Sequence, residues 1–263
     1  MTGRFSGRNV IVTGAGRGIG QAAARAFAAE GAEVLALGRT VADLADTVRH
    51  IAGDGGKAWL AACDVTDEAS IEATVAQAAS RWERIDVLIN NAGIDDDTPF
   101  LDIDRARWRA VIGTNLTGAF IMAQAVTRQM VGTGGGVILH TASIDASGAD
   151  GPYAAYNASK AGLLGLSRTM AMELAGYGIR SNCVSPGFTH TVMTEKAVGP
   201  ELLGYLNGSF ARVPIKRLIR TDEIAQAFLF LASEHASAIT GIDLRVDGGL
   251  TANWYVLETL PGG

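Results

Sequence analysis

Tyr156 and Lys160 stand four residues apart in Tyr-Asn-Ala-Ser-Lys, a spacing that puts both on one face of a helix. A free phenol, with a pKa near ~10, is a poor base at neutral pH. A neighbouring ammonium favours phenolate and moves that value towards the range where acid–base catalysis works best. The pair reads as an acid/base couple, against the plainer reading of a helix-surface hydrogen bond. A second feature is the turn Thr13-Gly14-Ala15-Gly16-Arg17-Gly18-Ile19-Gly20, which leads from the apolar run Val10-Ile11-Val12 into an Ala-rich stretch. Side chains at Gly14, Gly18 and Gly20 would block a pyrophosphate from the backbone N–H groups of a helix start. The turn, TGxxxGxG rather than the commoner GxGxxG, therefore suits a dinucleotide. About 20 residues further on, a carboxylate would serve the ribose hydroxyls of NAD. Here the chain reads Leu37-Gly38-Arg39. Arg39 and Arg17 are guanidinium forks suited to a 2′-phosphate, which predicts NADP(H) as the preferred cofactor over NAD(H). The alternative is two ordinary surface arginines, with Asp64 serving an NAD ribose.

These residues need a scaffold that brings them together. Seven short runs read as strands: Asn9–Thr13, Glu33–Leu37, Ala58–Cys63, Val87–Asn90, Val137–Thr141, Arg180–Val184 and Asp243–Val246. Between them lie helical patterns at Ile19–Glu30, Val41–Ile51, Asp67–Trp82, Arg105–Met130, Ala154–Ala175 and Asp222–Ser233. Gly31 suits a helix C-cap, and Thr66-Asp67-Glu68 a helix start. Such alternation predicts an α/β fold: a doubly wound, Rossmann-type parallel sheet of about seven strands with helices on both faces. No repeat or linker interrupts it, so residues 1–263 read as one domain. The segment 187–220 breaks the rhythm, with Pro200, Pro214 and a weak helical pattern around Glu201–Phe210, and reads as a substrate loop.

Of 263 residues, 48% are hydrophobic and 19% charged, with a net charge of −5. That excludes a disordered chain and a basic nucleic-acid binder. The N-terminus carries no signal-peptide core and no run of about 18 apolar residues is found, so no membrane partner and a cytoplasmic location are expected. Cys63 and Cys183 are far apart and read as buried thiols, and the four histidines show no metal-ligand spacing, so no metal is expected.

With TGxxxGxG, Asn-Asn-Ala-Gly at 90–93, Tyr-Asn-Ala-Ser-Lys at 156–160, Pro186-Gly187 and Val246-Asp247-Gly248-Gly249, the chain resembles the short-chain dehydrogenase/reductase family over about residues 5–250. The resemblance implies a homotetramer or homodimer and a set of roles. Ser143 would hydrogen-bond the substrate oxygen, and Asn115 would kink a helix and hold a water beside Lys160. Asp64 and Val65 would lie beside the adenine, although Asp64 fits equally a strand-end cap. Asn90, Asn91, Ala92 and Gly93 would steady the central strand against the cofactor. Pro186 and Gly187 would line the nicotinamide, with Thr189 and Thr191 adding hydrogen bonds. His140 departs from the family's small or amide residue and reads as core packing rather than catalysis.

The implied reaction is hydride transfer between NAD(P)(H) and a secondary alcohol or ketone. Asp95-Asp96-Asp97, Asp145 and Asp150 would form an acidic rim, which suits a polyol, sugar-like or cationic small molecule, against the plainer reading of solvated loop charges. A 3-oxoacyl reductase acting on an acidic carrier protein is the rival; it would want a basic patch near Met130–Gly136 or Tyr177-Gly178, and these stretches are uncharged. A non-catalytic dinucleotide-binding protein is the third reading. In the tail, residues 250–263, Trp254-Tyr255-Val256-Leu257 is apolar enough to pack on its own subunit or across an interface.

Overall fold

The apolar runs become strands β1 (Asn9–Thr13), β2 (Glu33–Gly38), β3 (Lys57–Ala62), β4 (Val87–Asn90), β5 (Gly136–Thr141), β6 (Ile179–Pro186) and β7 (Asp243–Val246). The computed structural model describes residues 3–191, 194–195 and 198–253. All seven strands pair in parallel, in the order β3-β2-β1-β4-β5-β6-β7. This is the doubly wound, Rossmann-type sheet expected from the strand–helix alternation. The order reverses between β1 and β4, which opens a crevice at the C-terminal ends of the strands. Strands β1, β4 and β7 have the expected bounds and β3 is shifted by one residue, while β2, β5 and β6 extend by a residue or two beyond their apolar runs, because ladder hydrogen bonds do not stop where hydrophobicity does.

Alternate residues of each strand feed two separate cores. Val10, Val12, Val34, Ala36, Ile89 and Leu139 pack under α1 (Gly18–Ala29), α2 (Val41–Gly53) and, near the C-terminus, α8 (Thr221–Ala232). Ile11, Leu35, Leu37, Leu88 and Ile138 pack under α3 (Glu68–Arg81), α5 (Gly118–Gly132) and α6 (Ala154–Leu174). Helix α1 buries Gly20, Ala23, Ala24, Phe27 and Ala28, the spacing of one helical face. Gly31 follows it with φ +91°, a conformation that favours glycine, and Asp67 caps α3 by accepting from the Ala69 N–H.

The stretch expected as one helix from Arg105 is two. Helix α4 (Arg105–Ile112) passes into α5 through a π turn, Gly113–Thr117, in which the Gly118 N–H bonds the Gly113 carbonyl five residues back. The combined Arg105–Gly132 helix is long and apolar enough, by composition, to cross a membrane. Its Met122, Ala123, Val126 and Met130 are instead buried against the sheet, which makes it a core helix. In the 187–220 segment, α7 (Pro200–Gly208) and its flanks build a third, small core from Leu206, Phe210, Val213, Leu218 and Leu250, packed against Ile144 and Phe188. Residues 254–263, including Trp254, Tyr255, Val256 and Leu257, lie outside the described residues.

Candidate active site

The glycine turn leaves β1 and enters α1 with Gly14 at φ +66° and Gly18 at φ +59°. A Cβ on Gly20 would stand 2.3 Å from the Gly14 carbonyl oxygen, so the turn closes on itself only without one. Arg17 occupies the N-cap position of α1 with no side-chain cap, and the first turn carries no acidic residue. Free N–H groups at a helix start with no acidic residue in its first turn fit a pyrophosphate. Ile19 packs on the first core and fixes the start of α1. Thr191 stands over the turn, its Cγ2 3.8 Å from where a Gly18 Cβ would be. The turn, the ends of β2 and β3 and the segment after β4 line one cleft, which includes Gly14, Arg39, Asp64, Val65, Ala92 and Gly93.

Hydrogen bonds tie the strand ends around that cleft. The Asn91 and Ala92 N–H groups donate to Thr13 Oγ1 at 2.9 and 3.0 Å. Asn91 Nδ2 donates to the carbonyls of Thr13 and Gly14, and Asn91 Oδ1 accepts from Thr141 Oγ1. Asn90 Nδ2 donates to the Ala119 carbonyl at 2.9 Å, joining β4 to α5. A Cβ on Gly93 would lie 3.3 Å from Asn115 Oδ1 and 3.6 Å from Lys160 Nζ, so this glycine keeps the cleft open towards both. At the far side, the Gly187 N–H donates to the Val246 carbonyl, and its missing side chain lets β6, ending at Pro186, meet Asp247. Thr189 Oγ1 donates back to the Gly187 carbonyl at 2.8 Å.

Asp64 sits at the end of β3 with Oδ1 accepting from the Thr66 N–H at 2.9 Å and the Thr66 hydroxyl at 2.8 Å. These bonds hold its carboxyl below the usual range, with a smaller contribution from Arg39. Asp64 thus caps its strand end and lines the cleft at once. Arg39 lines the same cleft, whereas the Arg17 guanidinium is paired with Asp43.

Asn115, Ser143, Tyr156 and Lys160 come together at the mouth of the crevice. Asn115 lies in the π turn, 1% exposed, and pairs with the backbone of Ile94 both ways: Oδ1 accepts from the N–H and Nδ2 donates to the carbonyl, each at 2.8 Å. Nδ2 also reaches Ser159 Oγ at 3.1 Å, so its amide is committed to protein partners. Lys160 Nζ donates to the Thr141 carbonyl at 2.6 Å and lies 5.4 Å from the Tyr156 ring centroid. Burial lowers the Lys160 pKa to about 8. Ser143 Oγ accepts from the Asp145 N–H at 3.1 Å and donates to its carboxylate at 3.3 Å.

The expected downward pull on Tyr156 is not met in the protein alone. Burial pushes its pKa up, the Ser143 hydroxyl opposes the rise, and Asp145, Asp95 and Asp150 add to it. Burial of the phenol outweighs the ammonium 5.4 Å from its ring centroid, which explains the difference. Burial first, then Asp150, Asp97, Asp95 and Asp145, raise the pKa of Tyr153, at the start of α6, whose ring lies 6.3 Å from that of Tyr156. Burial and Asp150 push Asp145 up to about 6. The acidic rim therefore consists of Asp95, Asp97, Asp145 and Asp150; Asp96 is turned inward, 6% exposed, onto Thr98 and Arg107. Tyr153 is the site residue that no motif in the sequence marks, although it lies three residues before Tyr156. His140 is buried beside Asn90, with Nδ1 3.5 Å from the amide nitrogen. No group of three or more candidate metal ligands occurs among the described residues.

A family model described as enoyl-(acyl carrier protein) reductase matches residues 14–251. The 3-oxoacyl-[acyl-carrier-protein] reductase FabG of Thermotoga maritima is 39% identical over 247 residues, 94% of this chain and 99% of that protein. The D-threitol dehydrogenase of Mycolicibacterium smegmatis is 39% identical over 251 residues, 94% of each. The structure of a 7α-hydroxysteroid dehydrogenase complexed with NADH and 7-oxo glycochenodeoxycholic acid superposes with a TM-score of 0.88 at 35% identity, covering 94% of this chain and 95% of that one. The chain belongs to the short-chain dehydrogenase/reductase family. It is an oxidoreductase of that family, with a nicotinamide dinucleotide as cofactor.

Proposed function

We propose that the protein interconverts a secondary alcohol and a ketone on a small, hydroxylated substrate, with Tyr156 as the acid/base. The observation that carries this reading is the convergence of Tyr156, Ser143 and Lys160 at the end of β5, ringed by Asp95, Asp145 and Asp150. The nicotinamide supplies or takes the hydride, and its oxidised form brings a positive charge. Burial and the rim carboxylates hold Tyr156 as a neutral phenol, the form that donates a proton as a ketone becomes an alkoxide. In the oxidative direction, the Lys160 ammonium favours phenolate, and a bound oxidised nicotinamide would add to that positive charge. Ser143 donates to the substrate oxygen where negative charge develops. Asn115 holds the Ile94 backbone and α6 in register, so Gly93 stays clear of Lys160. NADP(H) is the preferred cofactor on this reading, with NAD(H) accepted, and Gly14, Gly18, Gly20, Asn91, Ala92, Pro186, Gly187, Thr189 and Thr191 frame it. The protein acts in the cytoplasm as a homotetramer or homodimer of one-domain subunits.

A carboxylate-ringed mouth favours polyols and sugar-like alcohols over anionic thioesters, by like-charge repulsion of the latter. The similarity to FabG favours the second reading, a 3-oxoacyl reductase. The deciding experiment is kcat/KM in both directions for polyols, sugars, other secondary alcohols, their ketones and acetoacetyl thioesters. Faster turnover of polyols or their ketones supports the first reading, faster turnover of thioesters the second. No cofactor oxidation or reduction with any of them would favour a non-catalytic dinucleotide-binding protein.

A further inference from the structure

The sequence presents Arg17 as a free guanidinium inside the glycine turn; the fold gives it a partner. Arg17 Nε donates to Asp43 Oδ2 at 3.2 Å, and Nη2 donates to the same oxygen. Asp43 lies in the first turn of α2, 26 residues from Arg17, and the pairing is built into the backbone. A Cβ on Gly16 would stand 2.8 Å from Asp43 Cβ, so residue 16 must be glycine for α2 to come this close. Thr47, one turn on, donates to the Ala15 carbonyl at 2.9 Å. Gln21 Nε2 then links Thr47 Oγ1, at 3.0 Å, to the Gly16 carbonyl, at 3.3 Å. Four residues thus clamp the start of α2 onto the glycine turn, and the carboxylate stays beside Arg17.

We propose that Asp43 is a cofactor-selectivity residue: its carboxylate occupies Arg17 and opposes a 2′-phosphate, which holds down affinity for NADP(H) and keeps NAD(H) usable. The inference rests on the assignment of Arg17 and Arg39 to the 2′-phosphate. A phosphate dianion reaching Arg17 displaces or shares its contacts with the Asp43 carboxylate, and the two anions repel. A ribose hydroxyl carries no charge and meets no such opposition. Arg39 lines the cleft with Asp64, whose carboxylate is held by Thr66. The two arginines therefore differ: Arg39 is presented towards the cleft, Arg17 is held in check.

The test is binding of adenosine 2′,5′-bisphosphate and of AMP, by calorimetry, to wild type, Asp43→Asn, Arg17→Ala and the double variant. Asparagine keeps the shape at α2 and removes only the charge. Asp43→Asn is expected to tighten the bisphosphate by about five- to tenfold, the scale of a partly exposed charge contact, and to leave AMP within about twofold. With Arg17→Ala already present, Asp43→Asn should still tighten the bisphosphate, because the repulsion between carboxylate and phosphate remains. An unchanged or weakened bisphosphate affinity in Asp43→Asn would overturn the proposal, because the carboxylate would then be neutral or would orient Arg17 for the phosphate. An equal change for AMP would also overturn it. The cofactor reading fails separately, if wild type binds NADH more tightly than NADPH. In that case the Asp43→Asn gain for the bisphosphate still stands as the measure of the aspartate's effect.

Discussion

Tyr156 carries the proposed chemistry, and its surroundings state what removal should do. Tyr156→Phe deletes one hydroxyl from a packed ring and should lower kcat by at least about 10²-fold, with cofactor affinity within about twofold. Near-normal turnover of the phenylalanine variant would sink the acid/base assignment. His140 gives a second prediction, in stability. Burial first, and the Lys160 charge second, lower its pKa from 6.5 to about 4. The unfolded chain binds this proton more readily, so the native state loses stability as pH falls from above 6.5 towards 4. The loss amounts to roughly 3 kcal/mol over that window, at about 1.4 kcal/mol for each unit. His140→Asn should flatten the acid limb of a plot of melting temperature against pH. A limb of the same slope in that variant would show that acid instability comes from other groups.

Elements bring these side chains to one place through a few positions that tolerate no extra atom. Gly20→Ala would press a Cβ to within 2.3 Å of the Gly14 carbonyl. It should cost about 1–3 kcal/mol of stability, the range for overpacking, and weaken dinucleotide binding more than about tenfold. Unchanged melting temperature and NADPH affinity in that variant would contradict the account of the turn. This much was legible in the sequence, since TGxxxGxG, the strand alternation and the Tyr–Lys spacing are local patterns. The π turn at Gly113–Thr117 was not, because an i→i+5 bond replaces an i→i+4 bond without changing the apolar period enough to see. The inward turn of Asp96 depends on Arg107, eleven residues on, and the Arg17–Asp43 pair spans two helices. The raised Tyr156 pKa was hidden for a related reason: spacing gave the nearby ammonium, but only the fold gives the burial that outweighs it. Contacts between elements are where one-dimensional reading stops.

At the scale of the molecule, the crevice proposed for the dinucleotide lies at the strand-order reversal, while the 187–220 segment packs its small core against Ile144, next to Ser143. The outer faces of α5 and α6 leave Phe120 and Met172 exposed, at 44% and 74%, and the turn before α4 leaves Leu101 exposed, at 93%. Apolar surface of this kind fits the expected homotetramer or homodimer, and light scattering on the purified protein should give a mass of two or four subunits. Phe120→Asp should shift that mass downward; a monomeric wild type would remove the expectation. The central claim is hydride transfer to a carbinol carbon at the Tyr156 site. It is tested most directly by supplying reduced cofactor deuterated at the transferring position of nicotinamide C4, together with the ketone turned over fastest. The alcohol formed should carry one deuterium on its carbinol carbon, and Tyr156→Phe should form it at least about 10²-fold more slowly. An alcohol free of deuterium, or deuterium transfer undiminished in Tyr156→Phe, would contradict the account.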